Sequence, residues 1–180
     1  GGSKFIHNPT SMYFDGTLDH LSMPAHTDFN FSGDFTIEMW INASSSATYD
    51  GLITFDGSGA ADLAIGFNDS NVLYLYTNAG SATENVNSSV AITSGQWYHV
   101  AVTRLNNTTS FFLDGILKTT NTYSTSWVTG SNGVKIGRFY AADDEKYFEG
   151  YMDDIRIING KAIYTKNFIP SSRSPKGTEA

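Results

Sequence analysis

Apolar residues in this chain recur at every second position, and no long stretch repeats them with the three-to-four spacing of an amphipathic helix. Phe35, Ile37, Met39 and Ile41 alternate with Thr36, Glu38 and Trp40. Val100 and Val102 alternate with His99, Ala101 and Thr103, and Leu73 and Leu75 with Tyr74 and Tyr76. Successive side chains of an extended strand point to opposite faces, so this period predicts strands with one face turned to a core. Shorter segments at 52–55, 63–67, 110–113, 116–120, 134–136 and 152–158 read the same way.

Turn signals separate these segments. Asp114-Gly115, between Phe111-Phe112-Leu113 and Ile116-Leu117, predicts a two-residue hairpin, because both central residues of that turn need positive φ. Asn132-Gly133, Asp50-Gly51, Asp56-Gly57 and Asn159-Gly160 mark further reversals. About a dozen short strands joined by polar connections predict an all-β fold, a sandwich of two antiparallel sheets. Composition agrees: charged residues are 16% of the chain, below the usual ~25%, as expected where surface helices are few. The 180 residues suffice for one domain. The expected organisation is an N-terminal extension over 1–10, the sandwich over 11–170 and a Ser-, Pro- and Gly-containing linker or frayed tail over 171–180. Gly1-Gly2-Ser3 has the look of a cloning scar.

The chain contains no cysteine, which removes a disulfide framework, a thiolate nucleophile and Cys-ligated zinc. A net charge of −7, with the 11 Lys and Arg scattered, disfavours nucleic acid as a partner. No apolar run reaches the ~20 residues of a membrane span, so membrane insertion is not expected.

Five segments, "SMYFDGTLDHLSM", "GDFTIEMWIN", "GQWYHVAVTR", "FFLDGIL" and "GYMDDIRIINGKAIYTKNF", stand in the order seen in laminin-G-like domains of the concanavalin A-like lectin/glucanase superfamily. The resemblance covers Ser11 to Pro170. Its last segment is similar to the ending of laminin-G-like modules in marine phage tail-fibre and other virion proteins and in bacterial surface proteins. The resemblance implies a jelly-roll sandwich with a carbohydrate or protein ligand at one rim or on the concave face, often with calcium.

The superfamily also contains glycoside hydrolases, which set two carboxylates on one strand as acid and as nucleophile or base. Here Glu38 stands alone, followed by Trp40 and Asn42 where acids would be needed. Asp143-Asp144-Glu145 and Glu149 read as a loop. No Gly-x-Ser-x-Gly elbow, His-Glu-x-x-His or phosphate loop occurs, and His7, His20, His26 and His99 lack metal-ligand spacing. The expectation is a protein that is not an enzyme, with His99 in a packing role.

For structural calcium, the resemblance pairs Asp15 and Asp19 with Asp153 or Asp154. Alternation places Asp153 on the face of Ile155 and Ile157, the expected core face, where a carboxylate needs a cation or several N–H donors. Either partner satisfies it. Asp28 to Gly33 opens like an EF-hand, but Met39 occupies the position of the bidentate Glu.

For a ligand, Trp127 stands in the polar stretch "TNTYSTSWVTGSNG". Tyr140 and Tyr147 flank the acidic run, and Tyr49 lies in "ASSSATYDG". These rings form the expected stacking wall for a sugar, with Asp143 and Asp144 bonding its hydroxyls. Trp40 and Trp97, inside strand motifs, are expected to pack. The reading is a non-enzymatic recognition or adhesion module for a glycan or cell-surface polysaccharide, located outside the cell on a virion or cell surface. Its rival is a structural domain that binds other virion or surface-protein subunits.

Overall fold

The computed structural model describes residues 11–44, 51–56, 61–68, 70–77, 84–122, 133–139 and 146–171. In chain order the strands are β1 (Met12–Asp15), β2 (Leu21–Met23), β3 (Phe35–Ala43), β4 (Gly51–Asp56), β5 (Ala61–Phe67), β6 (Val72–Thr77) and β7 (Glu84–Ala91). They continue with β8 (Trp97–Leu105), β9 (Thr108–Leu113), β10 (Ile116–Thr122), β11 (Val134–Ile136), β12 (Arg138–Phe139), β13 (Lys146–Tyr147) and β14 (Glu149–Asn159). A first sheet has the order β1-β14-β3-β8-β9-β10, a second β2-β11-β4-β5-β6-β7, and β12 pairs with β13. Every pairing is antiparallel, so the expected jelly-roll sandwich is the fold.

The period-two set forms the core. Phe35, Ile37, Met39 and Ile41 of β3, Val100 and Val102 of β8, and Phe111 of β9 are buried against Ile53 and Phe55 of β4, Leu63 and Ile65 of β5, and Leu73 and Leu75 of β6. Each such side chain contributes roughly 1.5–3 kcal/mol by leaving water. The Asp114-Gly115 hairpin is present: Leu113 pairs with Ile116, and φ is +51° at Asp114 and +74° at Gly115. A β-carbon on Gly115 would lie 2.0 Å from the Phe168 carbonyl oxygen, so the glycine also admits a neighbouring segment.

That segment, residues 160–171, is a strap over part of the outward face of the first sheet. Thr36 Oγ1 donates to Lys161 O and accepts from Ile163 N, both at 2.9 Å. Thr103 Oγ1 donates to Tyr164 O at 2.9 Å, and Phe168 N donates to Gly115 O at 2.9 Å. Tyr164 and Phe168 stack with ring centres 3.5 Å apart above His99 and Phe112. The second sheet has its own cover: β12 crosses β4 so closely that a β-carbon on Gly51 would fall 2.0 Å from Phe139 N. Phe139 thereby packs with Ala64, Tyr74 and Tyr76 outside the main core.

One expectation about β14 is corrected. Asp153 lies opposite Trp40 and Arg156 opposite Glu38, so Asp154 and Ile155 together face the single residue Met39. This is a β-bulge, with Asp154 at φ +47°. The extra residue reverses the alternation. Met152 is in the core before the bulge and Ile155 and Ile157 pack on it afterwards, which turns Asp153 to the outward face. Glu149, expected in a loop, begins this strand.

Candidate functional site

Two places gather chemistry-bearing side chains, and they differ in access. The first lies under the strap. Glu38 of β3 is 4% exposed and is held by Arg156 of β14, whose Nε and Nη2 both meet Oε1. His99 Nε2 of β8 stands 3.4 Å from Oε2, an ion-pair distance rather than a full hydrogen bond. Arg156 Nη2 also donates to the Tyr164 hydroxyl at 3.3 Å. Burial opposes ionisation of Glu38, but its contacts with His99, Tyr164 and Arg156 outweigh it and hold the carboxyl below its ordinary value. Burial and the Glu38 carboxylate push the Tyr164 phenol up to about 12.

A glycosidase acid needs a raised pKa and an opposed second carboxylate. Glu38 has neither: it is an ion-paired carboxylate, its cross-strand neighbours are Arg156 and Ala101, and β3 carries no other acid. This cluster fastens the strap to the sheet.

The second place is open. Where β1 and β2, the edge strands of the two sheets, come together, Met12, Tyr13, Phe14, Asp19, His20 and Leu21 line a cleft of about 330 Å³. Tyr147 of β13 stands beside it, its ring 6.1 Å from that of His20, with the Arg138 guanidinium 5.9 Å from the Tyr147 centre. The His20 Nδ1 contact to Leu18 O, 2.9 Å, orients the imidazole. The cleft thus combines ring faces with a carboxylate, an imidazole, a phenol and a nearby guanidinium.

Of the residues expected to bind a ligand, Tyr147 is half-buried at this rim. Trp127, Tyr140, Tyr49, Asp143 and Asp144 lie outside the described residues. The three acids assigned to a cation do not come together. Asp15 pairs across the ladder with Glu149, and Asp153 is four residues further along β14, roughly 13 Å away at strand spacing. Asp15 Oδ1 accepts from Thr17 N at 2.8 Å and Leu18 N at 3.4 Å; the Thr17 bond leads in lowering its pKa. Asp153 Oδ1 accepts from Asp154 N at 2.9 Å. Among the described residues no three His, Asp or Glu side chains are placed to hold a metal. The trio Asp15, Asp19 and Asp153 therefore does not fit a hard cation, which needs converging oxygens.

Reading from sequence missed His20 and Arg138, which surround Tyr147 through cross-sheet and β12–β13 pairing. Trp40 and Trp97, expected to pack, do so against His99 and Tyr151, but on the outer face of the sheet. Both are outward-facing and half-buried, since the core positions beside them belong to Met39, Ile41 and Tyr98. The signal was in the alternation itself: Trp97 and His99 share a face, opposite to Tyr98 and Val100.

A laminin G family model, described as concanavalin A-like lectin/glucanases superfamily, matches residues 14–163. No curated protein sequence matches the chain. Among solved structures, the chain is similar to a candidate carbohydrate-binding protein from Bacteroides ovatus, with a TM-score of 0.67 at 20% identity over 81% of this chain and 42% of that one. It is similar to domains LG4-5 of the mouse laminin α1 chain, with a TM-score of 0.66 at 12% identity over 90% and 47%. It is also similar to domain 4 of AbnA, an extracellular GH43 arabinanase from Geobacillus stearothermophilus solved with arabinotriose, with a TM-score of 0.63 at 19% identity over 84% and 76%. The chain spans less than half the length of the first two. At these identities the structural likenesses show the fold alone. The family match, extending over most of the sequence and agreeing with the two-sheet topology, places the chain in the concanavalin A-like lectin/glucanase superfamily as a laminin-G-like domain.

Proposed function

We propose that this chain is a non-catalytic carbohydrate-binding module of an extracellular protein, taking a glycan at the cleft between β1 and β2. The observation that carries this reading is the open cleft itself, with Tyr13, Asp19 and His20 in its lining and Tyr147 beside it. Ring faces for the C–H side of a sugar stand next to groups that bond hydroxyls, as in small-molecule sites that pair apolar walls with a few orienting polar groups. Trp127, Tyr140 and Tyr49, with Asp143 and Asp144, are proposed to extend this wall. The carbohydrate-binding description of the Bacteroides ovatus protein and the arabinotriose bound by the arabinanase domain support the reading. We place the module on a phage virion appendage or a microbial surface protein, where adhesion to cell-surface polysaccharide is its task.

The test is a glycan array with the wild type, Tyr147→Ala and Trp127→Ala, run with calcium and with chelator. The expected result is a cluster of related glycans lost in both variants while melting temperatures stay within a few degrees. Loss on chelation would restore a cation role for the acids that the geometry does not bring together. A second reading, subunit assembly, rests on Ile116 and Leu117, which are 46% and 38% exposed on β10 at the end of the first sheet. A blank array together with a concentration-dependent oligomer in light scattering favours it.

A further inference from the structure

The outward face of the first sheet carries a row of side chains that the cleft does not use. Tyr13 on β1 pairs with Tyr151 on β14, Tyr151 with Asn42 on β3, and Asn42 with Trp97 on β8. Four adjacent strands thus place three rings and one amide in a line about 14 Å long, at ~4.8 Å per strand. All point away from the core, because Phe14, Met152, Ile41 and Tyr98 take the inward positions next to them. The Tyr13 and Tyr151 ring centres are 5.0 Å apart and those of Tyr151 and Trp97 6.4 Å, so Tyr151 and Trp97 lean toward one another over Asn42. Tyr13 is 52% exposed and Tyr151 41%. The strap, which buries the opposite end of this face, leaves them bare.

Two such rings are costly to leave in water without a purpose, and the polar surroundings say what they meet. Asn42 Nδ2 donates to Gly95 O at 3.1 Å, which fixes the amide with its oxygen as the remaining acceptor. The row before it on the same face contains Asp15 and Glu149, and the row after it contains Asp153 beside Trp40. Neither flanking row contains a Lys or Arg, and the chain carries a net charge of −7. Carboxylates on both sides repel uronic, sulfated or phosphorylated chains and accept bonds from neutral hydroxyls.

We propose that Tyr13, Tyr151, Asn42 and Trp97 form a second carbohydrate surface that takes an uncharged, extended pyranose chain lying flat across the strands. A line of rings open at both ends fits the interior of a long chain, whereas the cleft suits a shorter determinant. Only Tyr13 belongs to both, so this surface stands or falls apart from the cleft.

The experiment is native affinity electrophoresis through gels containing neutral polysaccharides (β-glucan, xylan, mannan, arabinan) and, in parallel, polygalacturonate. The wild type is expected to be retarded by at least one neutral polymer and not by polygalacturonate. Trp97→Ala and Tyr151→Ala are each expected to weaken that retardation at least about tenfold, while Lys166→Ala, an exposed strap residue away from both surfaces, leaves it unchanged. Should Trp97→Ala fail to fold, Tyr151→Ala and the milder Trp97→Phe carry the test. Three results overturn the proposal: retardation equal in wild type and Tyr151→Ala, retardation by polygalacturonate alone, or no retardation in any gel. A dimer that dissociates on Tyr151→Ala, with no glycan bound, would reassign the row to self-association. Array binding lost in Tyr147→Ala but kept in Trp97→Ala, with no gel retarding the wild type, would leave the cleft intact and remove only the second surface.

Discussion

Along β3, Thr36 and Glu38 point outward at one end and Trp40 and Asn42 at the other, yet the first pair is buried and the second is half-exposed. The difference comes from residues 160–171. Where the strap lies, outward polar side chains are held: Thr36 by the backbone of Lys161 and Ile163, Thr103 by the Tyr164 carbonyl, and Glu38 by the Arg156 side chain. In the uncovered half Tyr13, Tyr151 and Trp97 lean on one another at the surface. Side chains of similar chemistry on one face therefore serve opposite ends. Covered, they fasten the fold; uncovered, they are available to a ligand.

Substitutions separate the two halves by what each loses. The largest effect is expected for Phe112→Ala, which empties a fully buried site beneath Tyr164 and Phe168: about 3–4 kcal/mol of stability by denaturant titration, with glycan retention unchanged under native conditions. Glu38→Gln keeps the shape but removes the charge, and because Arg156 is half-exposed and stays hydrated the loss is smaller, about 1–2 kcal/mol. Trp97→Ala should cost less than about 1 kcal/mol, as for a surface ring, and act on binding instead. If its stability loss matches that of Phe112→Ala, the contrast between the two halves disappears.

Titration gives the smallest effects. The Glu38 carboxyl is held below its ordinary 4.5, so its contribution is complete above pH 4.5 and is lost as pH falls through the lowered value. Thermal melts on acidification should show a drop in the wild type that is shallower in Glu38→Gln. Tyr164 is shifted the other way, from 10.0 to about 12; its neutral phenol is the form the fold prefers. That contribution is complete below pH 10.0 and fades as pH rises to about 12, and Tyr164→Phe melts should lack this alkaline decline.

Much of the architecture was legible because alternation and turn chemistry are local. Phe35 to Ile41, Val100 to Val102 and the Asp114-Gly115 hairpin required no knowledge of distant residues. Two of the failures share a cause. Whether Glu38 or Trp40 is covered depends on a strap more than 120 residues away along the chain, as in the contact of Thr36 with Lys161. His20 and Arg138 meet around Tyr147 only after three separate elements assemble. The Asp153 assignment failed for a local reason: a bulge is invisible to a period-two reading that assumes an uninterrupted strand.

That bulge lets one strand serve two surfaces. Up to Asp153 the odd-numbered residues of β14 face outward, and from Arg156 onward the even-numbered ones do. Tyr151 and Arg156 differ in parity, so an unbroken strand could show only one of them to the outside and would drive the other into the core. Asp154 works as a phase shifter. Deleting that one residue would make β14 choose between the aromatic row and the anchor of the strap, although neither contains the residue removed.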